Sequence, residues 1–153
     1  MSGSPAQPIA LVTGGGRGIG REIALALARE GCHVVVAARS SDQVTAAAAA
    51  VAGLGVRALP LVLDVTDERE VARTVAVVAA ELGPVDVLVN NAGVAESAPL
   101  AKTGKSFEEA VAAMARLNPG GRLIEPAEVA AVAAKLIRDE STNGEAIVLD
   151  GTQ

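Results

Sequence analysis

The chain has 153 residues and half of them are apolar, enough for one domain with a real core and too many for a disordered segment. A net charge of −5 argues against a nucleic-acid partner, which ordinarily needs a basic face. Phe107 is the only aromatic residue, so the core must be built from Ala, Val, Leu and Ile.

Residues 1–8 read as a loose tail and residues 9–153 as a single domain. No signal-peptide pattern and no membrane-length apolar run occurs, which predicts a cytoplasmic protein with no membrane partner. The elements follow in order. Ile9 to Thr13 is a short apolar run ending at glycines, so a buried strand. Gly18 to Glu30 is a helix with Ile19, Ile23 and Leu27 on one face, stopped by Gly31. His33 to Ala38 is a second strand, apolar throughout, as expected of a parallel strand buried on both sides. Asp42 can cap a second, alanine-rich helix reaching Val51. Val56 to Leu63 is a third strand. Thr66 or Asp67 caps a third helix, Glu68 to Leu82, and Val85 to Val89 is a fourth strand.

This βαβαβαβ order indicates a parallel sheet wrapped by helices. The rhythm then breaks. Val94 to Ser106 reads as a loop and Phe107 to Leu117 as a helix. Ala127 to Arg138 is another helix, with Pro126 in its first turn. Its expected buried stripe is Val129, Val132, Ala133 and Leu136, with Glu128, Ala131, Lys135 and Arg138 outward. Ala146 to Leu149 reads as a final strand.

Thr13-Gly14-Gly15-Gly16-Arg17-Gly18-Ile19-Gly20 joins the first strand to the first helix. In that setting Gly14 permits a tight turn, Gly18 lets a pyrophosphate approach the backbone, and Gly20 lets the helix pack closely. The helix N-terminus adds free N–H groups and partial positive charge. The second strand ends in Ala37-Ala38-Arg39-Ser40, with no carboxylate for a ribose 2′-OH. Arg39 there, and Arg17 in the loop, favour a 2′-phosphate, hence NADP over NAD. Cys32 reads as a buried, inert thiol and His33 as structural. No metal-ligand spacing is visible.

In TGGGRGIG (13–20), LDV (63–65), NNAG (90–93) and the stretch from Gly121 to Gly151, the chain resembles the short-chain dehydrogenase/reductase family, in particular its ketoacyl- and polyketide-type ketoreductases. The resemblance covers residues 9–100 and about 105–151. It implies a miniaturised Rossmann-like α/β fold: three layers around a parallel sheet of about five strands, order 3-2-1-4, the last docking beside the fourth. It implies that Thr13 holds the loop and that Gly14, Arg17, Gly18, Ile19 and Gly20 contact the cofactor. Arg39 and Ser40 would meet the adenosine phosphate, Asp64 and Val65 would flank the adenine, and Asn91, Ala92 and Gly93 would line the ribose. Asp64 as a turn residue before Thr66, and the Asn90-Asn91 pair as purely structural, are the alternatives.

The family's Tyr-x-x-x-Lys pair cannot exist in a chain without tyrosine. Its Asn- and Ser-bearing elements are also missing, as if two βα units had been cut out near Leu100–Lys105. No catalytic residue is therefore assigned, and Lys102, Lys105 and Lys135 read as solvated surface groups. The expected function is NADP binding without normal carbonyl reduction. A minimal scaffold with an empty site and a weak residual NADPH-dependent ketoreductase are the alternatives. Charged Lys135 on an outward helix face suggests surface repair in an engineered or computationally shortened reductase, with natural deletion as the other origin. A homodimer or exchange of the C-terminal segment between copies is the expected protein partnership.

Overall fold

The computed structural model of the chain describes residues 7–94, 104, 106–139 and 141–152. The tail over residues 1–6 lies outside them, as do Lys102, Lys105 and, Gly104 apart, the expected break at Leu100–Lys105. The elements are β1 (Ile9–Thr13), α1 (Gly18–Arg29), β2 (His33–Ala38), α2 (Ser41–Ala52), β3 (Ala58–Val62), α3 (Glu68–Glu81), β4 (Val87–Val89), α4 (Phe107–Ala115) and α5 (Pro126–Arg138).

The four strands are parallel, as the βαβ rhythm predicts, and lie in the order β3-β2-β1-β4 that the family resemblance implies. Val12 sits between Val36 and Val89, and Leu11 between Val35 and Leu88. Alternation along β1 and β2 then sends Ala10, Val12, Val34 and Val36 to one face, where α1, α2 and α5 cover them. Ile9, Leu11, Val35 and Ala37 go to the other face, against Leu63 and Val78 of the α3 layer. Both strands are thus buried on two sides, which explains their unbroken apolar runs.

Local chemistry sets the ends of the elements. Gly31, at φ +88°, adopts the left-handed turn that stops α1. Asp67 caps α3 by accepting from the N–H groups of Arg69 and Glu70. The cap of α2 is Ser40, not Asp42: its hydroxyl accepts from Gln43 N, and Asp42 lies inside the first turn. β4 starts two residues later than expected, at Val87. The Asp86 carboxylate accepts from Ile9 N at 2.8 Å and so fastens the start of β1.

The C-terminal elements depart further from expectation. In α5 the core-facing residues are Ala130 and Ala134, supported by Val129, Ala133 and Ile137. The stripe is rotated from the expected one: Leu136 turns partly outward and Val132 borders a small cavity with Leu149. Two alanines let α5 lie close along α1, and Arg138 forms an ion pair with Glu30 where both helices end. The expected last strand, Ala146–Leu149, is not a strand. Gly120 N donates to Asp150 O, which ties the end of the segment to the loop before α5, and the segment pairs with no strand of the sheet. Among the described residues the sheet therefore has four strands where about five were expected. Among the described residues no helix is long and apolar enough to cross a membrane.

Candidate functional site

Parallel strands deliver their C-terminal ends, and the loops after them, to one edge of the sheet. At β1 and β4 those ends are locked together by two side chains. Thr13 Oγ1 donates to Val89 O at 3.2 Å and accepts from Asn91 N and Ala92 N, each at 3.1 Å. Asn91 Nδ2 donates to Thr13 O at 3.0 Å and to Gly14 O at 3.3 Å. Every polar atom that this buried Thr offers is used, and the amide satisfies the carbonyls at the start of the glycine loop. Both residues act as a clamp. Thr13 does not line the groove; its hydroxyl bonds to the end of β4 behind the loop.

The glycines divide their work. A Cβ on Gly20 would lie 2.3 Å from Gly14 O and 2.4 Å from Asn91 Nδ2, so Gly20 lets α1 press against the loop. A Cβ on Gly14 would meet Asn91 Nδ2 at 2.8 Å, and its φ of +64° makes the turn. Gly18 differs: its φ is +54° and nothing lies within 4 Å of its missing Cβ. That space opens onto the groove, where a ligand can reach the backbone. Arg17 occupies the N-cap position of α1 without a side-chain cap bond, and the first turn holds no acidic residue. The helix presents free N–H groups and an uncompensated positive end to whatever fills the groove.

The groove measures about 830 Å³, within the size range of small-ligand and cofactor sites. It gathers the remaining predicted residues along one path. Gly14, Arg17, Gly18, Ile19 and Gly20 form its floor, and Arg39 and Ser40 lie at the end of β2. Asp64 and Val65 follow β3, and Asn91, Ala92 and Gly93 follow β4. Ile19, expected on the apolar face of α1, instead turns 41% exposed into this groove. Neither Arg17 nor Arg39 belongs to an ion pair among the described residues.

Asp64 is oriented from both sides. Its N–H donates to Glu70 Oε2 at 2.8 Å, while Oδ1 accepts from Thr66 N at 3.0 Å and Thr66 Oγ1 at 2.7 Å. These bonds from Thr66 hold its carboxyl below the usual carboxylate range, with a smaller pull from the Arg39 charge. The turn reading holds, since Oδ1 closes the turn with Thr66, and Asp64 also lines the groove.

Sequence reasoning missed Gly16, Gln43, Thr66, Val94 and Pro126, all of which line the groove. Gly16 could have been read from the triple glycine, but its reason is tertiary: a Cβ there would meet Gln43 Cβ at 2.9 Å. Pro126 reaches the groove only because α5 packs along α1, which no local pattern announces. Cys32 and His33 stand outside the site. Burial pushes the Cys32 thiol up, with Glu30 and Asp86 adding to it, and His33 Nδ1 accepts from Arg57 N. Lys135 is exposed on α5.

A parallel α/β sheet whose first strand enters a helix through such a loop defines a nucleotide-binding domain of the Rossmann type. The family profile of the short chain dehydrogenases matches residues 8–143, and the chain belongs to that family. It is 43% identical over 91 residues to the gluconate 5-dehydrogenase of Gluconobacter oxydans, spanning 60% of this chain and 36% of that protein. It is 41% identical over 111 residues to the probable oxidoreductase EphD of Mycobacterium tuberculosis, spanning 72% of this chain and 18% of that one. The chain thus spans about a third or less of these relatives. Among solved structures, an actinorhodin polyketide ketoreductase variant with NADPH superposes with a TM-score of 0.75 over 86% of this chain and 90% of that chain. At 23% identity it shows the fold alone. A metagenomic short-chain oxidoreductase in complex with NADP is 35% identical, with a TM-score of 0.56 over 67% of this chain and 46% of that one.

Proposed function

We propose that this chain binds NADP(H) in the groove above β1, β2 and β4 and does not carry out the family's usual carbonyl reduction. The observation that carries the reading is the groove's electrostatic layout. The end of β2 offers Arg39 and Ser40 but no carboxylate, and Arg17 adds a second guanidinium with no ion-pair partner among the described residues. A 2′-phosphate supplies the charge these two groups lack, whereas a 2′-OH finds no carboxylate there. The fit of the pyrophosphate rests on Gly18, where the space a side chain would fill is open, and on the uncapped start of α1. Asp64 and Val65 flank the adenine, and Asn91, Ala92 and Gly93 the ribose beyond the pyrophosphate. The NADP-bound metagenomic relative supports the same choice.

When bound, the nicotinamide ring is a hydride donor or acceptor. This chain's residues bind and orient the nucleotide. With no tyrosine in the sequence, the proton that must accompany hydride delivery to a carbonyl has no family-type donor. The residues of this chain thus account for cofactor binding and include no family-type proton donor. Isothermal titration tests the binding: NADP⁺ should saturate at least tenfold more tightly than NAD⁺, and equal affinities would remove the role given to Arg17 and Arg39. NADPH oxidation with a reactive α-diketone tests the second half, and a saturable, protein-dependent rate would overturn the claim of lost reduction.

A further inference from the structure

One side chain in the groove has no task so far. Gln43 lies in the first turn of α2, one turn after Arg39, and is exposed. Its backbone is fixed, since its N–H donates to the capping Ser40 hydroxyl. Its side chain leans over the glycine loop: the Cβ that Gly16 lacks would stand 2.9 Å from Gln43 Cβ and 3.5 Å from Gln43 Oε1. Any side chain at position 16 would push Gln43 away, so the third glycine of the triplet keeps room for this residue. No side-chain hydrogen bond occupies the Gln43 carboxamide among the described residues. An exposed glutamine ordinarily waves freely in solvent. This one is packed against the loop at Gly16 and lines the same groove as Arg17 and Arg39.

The charge around it gives the choice of residue a meaning. Asp42 precedes Gln43 in the same turn, and Asp64 borders the groove as a carboxylate. A third acid at position 43 would cancel much of the field that Arg17 and Arg39 set up. A carboxamide keeps the field positive and adds a neutral donor. Nε2 is the donor that this carboxamide can offer an anionic ligand.

We propose that Gln43 is a specificity-determining residue for this site, donating from Nε2 to the adenosine 2′-phosphate and spacing the first turn of α2 from the glycine loop. The inference rests on the NADP reading of the groove. Its test is isothermal titration of the full chain and its Gln43→Ala, Gln43→Glu and Gln43→Arg variants with NADP⁺ and NAD⁺, with melting temperatures measured alongside.

A charged hydrogen bond of ordinary strength makes Gln43→Ala lose about tenfold in NADP⁺ affinity. Gln43→Glu should lose more, and Gln43→Arg should keep or gain affinity. NAD⁺ affinity should stay within about twofold for Gln43→Ala, a selectivity that a merely structural role would not produce. Unchanged NADP⁺ affinity in all three variants overturns the inference and leaves the NADP reading standing. Parallel losses for both nucleotides also overturn it, since they assign Gln43 to loop packing alone. A native chain that binds neither nucleotide overturns both.

Discussion

The two faces of the sheet are built unequally, and the site depends on the better one. The face covered by α1, α2 and α5 buries fifteen residues in one cluster, most of them Ala, Val and Leu packed at small separations. Among the described residues the other face buries six, and of the helices α3 contributes to that cluster through Val78. On the first face β4 contributes Val87 and Val89 to the packing, whereas on the second its Leu88 is 57% exposed. The loop, the Arg17 cap and α2 with Gln43 all stand on the closed face. A cradle for phosphate needs β1, α1, β2 and α2 to be held rigidly, together with the end of β4, where Asn91 clamps the loop. The rest of the sheet can be thin without disturbing it.

Substitutions can break or sharpen this contrast. The largest effect belongs to Leu27→Ala: Leu27 is fully buried in the closed cluster, so a cavity there should cost about 3 kcal/mol in urea unfolding. A loss below about 1 kcal/mol would mean that α1 repacks freely, and the closed face would not be the rigid support claimed. Next comes Asp67→Ala, which strips two backbone hydrogen bonds from the start of α3. It should cost about 1 kcal/mol and raise hydrogen exchange mainly within α3.

Leu88→Thr should change stability by less than about 0.5 kcal/mol, because the side chain already meets solvent. A larger loss would show that something covers this face in solution. The smallest effect is electrostatic and belongs to α5. Arg122 donates to both oxygens of Glu128 at 2.7 and 2.6 Å, and this guanidinium, with the Glu125 N–H, lowers the Glu128 carboxyl from 4.5 to about 2. A carboxyl with a lowered folded value stabilises fully above its ordinary range and loses that contribution as the pH falls from 4.5 toward 2. The pair is exposed, so the gain is modest. Glu128→Gln should lower the melting temperature slightly at neutral pH and meet the native profile as the pH falls toward 2, so that the acid limb over that window is flatter.

The sheet, its first three helices and the glycine loop were legible in the sequence and the C-terminal elements were not, for a physical reason. Ile9–Thr13 and His33–Ala38 read as buried strands because residues on both faces are apolar, and no partner has to be guessed. The glycine loop was legible because positive φ and close approach leave few substitutes for glycine. Asn91 was ambiguous because an amide can serve a ligand or a backbone, and here its Nδ2 is spent on the carbonyls of Thr13 and Gly14. The final apolar run misled because a strand exists only beside another strand. Ala146–Leu149 has the composition for one, yet Asp150 is bonded to Gly120 instead. The stripe of α5 misled by one position, because Ala130 and Ala134, too small to stand out in a pattern, are what α1 selects. Gln43 and Pro126 needed the tertiary fold, since their partners are distant in sequence.

Hydrogen exchange of the chain with and without NADP⁺ tests the central claim most directly. In the free protein the amides of β1 and β2 should exchange far more slowly than those of β4. Adding NADP⁺ should slow residues 14–20 and 39–43 while leaving α3 unaffected. Exchange in β1 and β2 as fast as in β4, or no ligand-dependent protection of the glycine loop, would contradict a rigid, phosphate-selective cradle on the closed face.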